Sequence, residues 1–155
     1  MIKALVIAAC LLAASGFSPQ MAKAQSKPVV LITVEEAQLG TEPQGDLTFR
    51  AGVSRGPSIT VLSPTPNDPA MHSPFRLQLK FEGRGGAQID ADTLKMTYVR
   101  TPAIDLTARV KPYANQSGID LPDVSVPPGN HTIRTEIKDK DGRTGSVTFV
   151  IKMPK

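Results

Sequence analysis

Apolar and polar side chains take turns along the C-terminal two thirds of the chain. Phe75, Leu77, Leu79 and Phe81 alternate with Arg76, Gln78, Lys80 and Glu82, which puts four apolar side chains on one face of a strand and four polar ones on the other. Ile104, Leu106, Ala108 and Val110 repeat the pattern against Asp105, Thr107, Arg109 and Lys111, predicting a strand there. Val147, Phe149 and Ile151 do the same against Ser146, Thr148 and Lys152. Weaker alternation at Ile59 with Val61, at Leu94 with Met96 and Tyr98, at Ile119 with Leu121 and at Ile133 with Ile137 completes a set of about seven half-buried strands.

Turn chemistry separates these runs: Pro64-Thr-Pro-Asn-Asp-Pro69, Gly83-Arg-Gly-Gly86, Thr101-Pro102, Asn115-Gln-Ser-Gly118, Pro127-Pro-Gly-Asn130 and Asp139-Lys-Asp-Gly142. Short alternating strands at this spacing, without long helices between them, predict an all-β sandwich of two antiparallel sheets from Ser58 onward, with a barrel as the competing architecture. Gly85 to Thr93 is expected to add one helical turn at a crossover. No internal repeat is visible, so 58–155 reads as one module.

The N-terminal third follows other rules. Val29 to Val34 is a continuous apolar run suited to a short buried strand. Thr33 followed by Glu36 fits a capping box, predicting one or two helical turns from Val34 to Leu39 that Gly40 ends. Thr41 to Pro57 carries Pro43, Gly45, Gly52, Gly56 and Pro57 and reads as a linker, with Asp46 to Arg50 as a marginal strand. Before all this, Lys3, the apolar stretch Ala4 to Ala14 and Ala22-Lys23-Ala24 form the pattern of a secretory signal peptide over 1–24, cut before Gln25. The apolar stretch is shorter than the ~20 residues a membrane span needs. Ile7-Ala-Ala-Cys10 has too short a lead for a lipid-attachment site, so no transmembrane segment and no lipid anchor are expected after processing.

Composition then narrows the chemistry. Loss of Lys3 and Lys23 with the leader would lower the formal net charge from +4 to +2, too little for a nucleic-acid field. The single cysteine, Cys10, would leave as well, so no disulfide and no thiol nucleophile are expected. Aromatic residues are only 5% of the chain and Trp is absent, which removes stacking platforms.

Several of these segments together resemble a bacterial immunoglobulin-like module of exported proteins: Ser58-Ile-Thr-Val-Leu-Ser-Pro64, the Phe75 to Phe81 strand, Ile104-Asp-Leu-Thr107, Pro128-Gly-Asn-His-Thr-Ile133, Asp139-Lys-Asp-Gly142 and Val147-Thr-Phe-Val-Ile151. The likeness covers Ser58 to Lys152; Gln25 to Pro57 has no counterpart in it. It implies an Ig-like sandwich, and the missing Cys pair and Trp set it apart from antibody-type domains. Such folds host many roles, so function has to come from a site.

No catalytic, cofactor or metal residues are assigned. His72 and His131 lie in no nucleophile elbow, and His131 reads as a satisfied turn histidine. Met71, His72, Met96, His131 and Met153 are copper-compatible ligand types. Asp139-Lys-Asp-Gly142 looks like half a calcium loop, but Ile137 and Thr148 occupy positions that need carboxylates; a looser site would enlist Asp90 or Asp92. Gly83-Arg-Gly-Gly86 lacks the tail of a phosphate loop. Asn115-Gln-Ser117 and Asn130-His-Thr132 are formal glycosylation sequons in turns. The expectation is a periplasmic or secreted, non-catalytic binding or envelope-structural module without cofactor, its partner an envelope protein or a polysaccharide. A copper or calcium carrier is the alternative. The loop Pro64 to Pro74 and an open sheet edge are the expected docking surfaces.

Overall fold

The computed structural model describes residues 27–40, 50–51, 55–65 and 71–154. The segment read as a leader, 1–24, lies outside them, as do 41–49, 52–54 and the middle of the Pro64 to Pro74 loop.

The predicted all-β sandwich is the fold. One sheet contains β3 (Ser58–Ser63), β4 (Phe75–Glu82) and β8 (Gly118–Ser125), with β1 (Val29–Val30) and β7 (Ala114–Asn115) both on β8. The other runs β2 (Arg50–Ala51), β10 (Thr144–Met153), β9 (Gly129–Asp139), β5 (Ile89–Tyr98) and β6 (Ile104–Asp105). All pairings are antiparallel except β1 with β8. The chain crosses from β4 to β5, returns from β6 to β7 and crosses again from β8 to β9. This is the strand order of an immunoglobulin-like sandwich.

Alternation does what the sequence pattern requires. Leu77, Leu79, Phe81 and Leu121 of one sheet and Met96, Tyr98, Ile133, Ile137, Val147, Phe149 and Ile151 of the other are all buried in one core cluster. Thr135 points into this core too, and its hydroxyl has no hydrogen-bond partner among the described residues.

Three expectations are corrected. The run Ile104 to Val110 is a strand only over Ile104–Asp105; Thr107–Val110 is helix α2. Asp105 Oδ1 accepts a hydrogen bond from the Thr107 backbone N–H at 2.8 Å and starts the turn. Leu106 and Val110, four apart, then share one buried face, a spacing that alternation also satisfies. The helical turn expected over Gly85 to Thr93 occurs earlier, as a 3-10 turn at Arg84–Gly86, and β5 already begins at Ile89. Of the apolar run Val29 to Val34, only Val29–Val30 is strand; Leu31 and Ile32 are buried without pairing as strand.

The capping box is present as predicted. Thr33 Oγ1 accepts from the Glu36 N–H at 3.2 Å, and Glu36 Oε2 accepts from the Thr33 N–H at 2.9 Å. Helix α1 therefore starts at Val34 and runs to Gln38. Of the marginal strand Asp46 to Arg50, the described part is Arg50, paired through β2 with Thr148 of β10.

The two open sides of the sandwich are closed differently. Between β3 and β10 the backbones touch: a Cβ on Gly145 would collide with the Pro57 carbonyl, and one on Gly56 with the Thr144 carbonyl. Only glycine permits that approach. On the opposite side α2 and the N-terminal arm, 27–40, fill the gap with Leu31, Ile32, Leu106 and Val110.

Candidate functional site

The strand directions bring the β3–β4 loop, the β5–β6 loop and the β8–β9 loop to one end of the sandwich, where the arm joins them. Ser73, the one serine next to the start of β4, accepts a hydrogen bond from the Val126 N–H at 3.3 Å and donates to Ser125 Oγ at 3.4 Å. Leu31 N–H donates to the Ser125 carbonyl at 3.0 Å. Two loops and the arm thus share a single strand terminus.

Beneath them runs a buried relay. His131 is 1% exposed. Its Nε2 lies 2.8 Å from the Pro127 carbonyl, which can only accept, so Nε2 carries the proton. In the neutral ring Nδ1 then accepts, and Tyr98 OH donates to it at 2.9 Å. The Tyr98 oxygen in turn accepts from Arg100 Nε at 2.7 Å. Arg100 also donates to the Asn130 carbonyl at 3.1 Å and to the Gly40 carbonyl at 3.4 Å, and its guanidinium sits 5.1 Å from the Tyr98 ring centroid. The residue following β5, the start of β9 and the end of the arm are tied through one side chain.

The arm is clamped once more. Arg109 on α2 makes a bidentate pair with Glu36 at 2.6 and 2.8 Å and donates to the Leu31 carbonyl at 2.6 Å. Arg109 holds the Glu36 carboxyl below its ordinary value of 4.5, with burial opposing and the Thr33 hydrogen bonds assisting. The same pairing raises Arg109.

This end exposes apolar side chains among its polar ones. Val30, Val34 and Leu39 of the arm are 51%, 57% and 41% exposed, beside exposed Pro74, Pro102, Ala103 and Pro128. Of the large hydrophobic side chains exposed among the described residues, the other two are Leu62 and Tyr113. Three of these five side chains thus fall within one fourteen-residue segment, which also exposes Lys27, Glu35 and Gln38.

The sequence-derived candidates do not converge. His72 is exposed, while Met71, Met96 and Met153 are buried in the core cluster. Both ring nitrogens of His131 are engaged as described. Among the described residues, no three His, Cys, Asp or Glu side chains come together to hold a metal ion.

Asp139 is committed elsewhere. Its Oδ1 accepts from the Arg143 N–H and its Oδ2 from Arg143 Nε, both at 2.9 Å. Burial pushes the Asp139 carboxyl up, but these bonds prevail and hold it low. The Gly142 N–H donates to the Asp139 carbonyl at 2.9 Å and Gly142 has φ 79°, so Asp139-Lys-Asp-Gly142 is a tight turn. Asp90 instead shapes its own strand, accepting from the Asp92 N–H and the Thr93 hydroxyl.

Of the sequons, Asn115 Oδ1 accepts from the Ser117 and Gly118 N–H groups, a local turn. Asn130 precedes the buried His131 and Thr132. Gly83 to Gly86 forms the exposed 3-10 turn.

A shallow groove of about 320 Å³ lies on the outer face of the first sheet, lined by Leu62, Gln78, Lys80, Asn115, Ser117 and Asp120. Its charges are already paired, Lys80 with Glu82 at 2.7 Å and Asp120 with Arg76 at 2.6 Å. Its volume is at the low end for ligand sites.

Sequence reasoning missed the Arg100 relay and the Arg109 clamp. Glu36 was visible through its capping box, but nothing local marks its partner 73 positions later. No helix among the described residues is long and apolar enough to cross a membrane. Comparison with protein-family models, curated proteins and solved structures finds no match for this chain.

Proposed function

We propose that this chain is an exported, non-catalytic Ig-like module that binds a partner in the cell envelope through the loop end of its sandwich. The observation that carries this reading is the exposed apolar set Val30, Val34 and Leu39, mounted on an arm that Arg100 and Arg109 fix in place. Burial of such a patch favours association without any reacting group. The loop Pro64 to Pro74 borders the same end, and its described residues Pro64–Thr65 and 71–74 frame it. Export rests on the leader pattern over 1–24, and the bacterial immunoglobulin-like resemblance on the segments between Ser58 and Lys152.

The test is affinity purification from envelope extract with the wild-type chain and with a Val34→Asp/Leu39→Asp double variant. A partner lost with the variant, whose melting temperature stays at the wild-type value, supports the reading. An unchanged set of partners overturns it. Sequencing the exported product from its N-terminus should begin at Gln25. A rise in melting temperature on adding copper or calcium to chelator-stripped protein would instead favour the metal-carrier alternative.

A further inference from the structure

The outer face of the first sheet has a gap in its rows of side chains. Thr60, Lys80, Gly118 and Asn115 fall in one register row across β3, β4, β8 and β7, and Gln78 with Asp120 fall in the next. Gly118 brings no side chain to its row, and none would fit, because a Cβ there would collide with the Leu79 carbonyl. Lys80 and Asn115 therefore face each other across bare backbone, two strand spacings or about 10 Å apart. That gap is the shallow groove, with Gln78 and Asp120 along it, Ser117 beside Asn115, and Leu62 at the β3 end. It opens at the start of β8, whereas the apolar loop end lies where β8 finishes.

The lining sets the chemistry of an occupant. Lys80 and Asp120 are each paired and their charges cancel, so neither an anion nor a cation is selected. Asn115 Oδ1 is held by the Ser117 and Gly118 N–H groups, which leaves Nδ2 as the free end of that amide. The Gln78 amide and the Ser117 hydroxyl have no hydrogen-bond partner among the described residues. These three groups bring unspent donors and acceptors to one place. Of the exposed large hydrophobic side chains, Leu62 alone lines the groove, so an apolar peptide would bury mostly polar surface there. The groove also lies over paired strands, whose backbone groups are already spent on their ladders and cannot take up an added strand. A neutral, hydroxyl-rich ring with one apolar face satisfies all of these conditions.

We propose that the groove holds a short run of neutral sugar residues in a polysaccharide. The Gln78 and Asn115 amides and the Ser117 hydroxyl bond to ring hydroxyls, and Leu62 packs against a C–H face. No aromatic ring lines the groove, so each contact is weak and a polymer gains its hold by repetition. This site is independent of the apolar loop end, and either can fail alone.

The test is NMR titration of the purified protein with maltotetraose, cellotetraose and tetra-N-acetylchitotetraose. At least one probe should shift the side-chain amide signals of Gln78 and Asn115, with a dissociation constant of about 0.1–10 mM. Gln78→Ala, and Asn115→Asp, which keeps the Oδ1 acceptor and removes the Nδ2 donors, should each weaken binding by about fivefold at an unchanged melting temperature. Added salt should leave the affinity as it was, because no net charge is involved. The Val34→Asp/Leu39→Asp variant should bind the sugar like wild type. The proposal is overturned if none of the three probes moves these amides at millimolar concentration, if both groove variants bind like wild type, or if a sulfated oligosaccharide binds more tightly than the neutral ones.

Discussion

The β8 edge and the β3 edge of the same sheet are finished by opposite means. At β8 the cover is non-local: Val29 pairs with Val124, Leu31 bonds to Ser125, and Arg109 reaches back to Glu36. At β3 the boundaries are local: Pro57 ahead of the strand, a register break near its end and Pro64 after it. The first kind of edge depends on tertiary contacts staying formed. The second is written into neighbouring residues, with the close approach of Pro57 to Gly145 beside them.

That contrast ranks the effects of substitutions. Leu31→Ala removes a fully buried side chain from the segment that covers β8, and should destabilise the fold by about 2–5 kcal/mol in denaturant unfolding. Arg109→Ala leaves Glu36 and the Leu31 carbonyl without their shared donor. A loss of about 1.5–3 kcal/mol is expected, the range for hydrogen bonds to charged groups.

The same clamp predicts a pH dependence. Because the folded Glu36 carboxyl is held below 4.5 by Arg109, its contribution is complete above that value and disappears as pH falls through the lower, folded value. Acid titration of stability should therefore show a steeper loss below about pH 4.5 in wild type than in Arg109→Ala.

On the inner face of the other sheet, Thr135→Val replaces a buried hydroxyl that has no partner among the described residues with a methyl of similar shape and should stabilise by about 1 kcal/mol in the same unfolding assay. The smallest effect belongs to the β3 edge. Thr60→Lys should shift stability by less than about 0.5 kcal/mol, since it changes one exposed side chain. A large loss there would mean that the Thr60 side chain packs against the fold.

Legibility from sequence follows the range of the forces involved. The strands at 75–82 and 146–152 are legible because each has one wet face and one dry face, and alternation records that directly. The capping box at Thr33 and Glu36 was visible because both partners fall within one turn. Ile104 to Val110 misled because Leu106 and Val110 suit either period, and the deciding bond, from Thr107 N–H to Asp105, leaves no mark on periodicity. The loop end was only half legible. Its prolines announced a constrained loop, but Tyr98, Arg100 and His131 become neighbours only when β5 and β9 pair. Exposure of Val30, Val34 and Leu39 was not legible at all, because an apolar run reads the same buried or bare.

The β9–β10 ladder has ten residue pairs in register and is closed by a turn whose acid and guanidinium stand four positions apart. Bringing its strands together demands a far smaller loop closure than seating Leu31 against Ser125. This hairpin is therefore the piece of sheet most able to assemble on its own, a unit whose pairing needs no contact from the N-terminal arm.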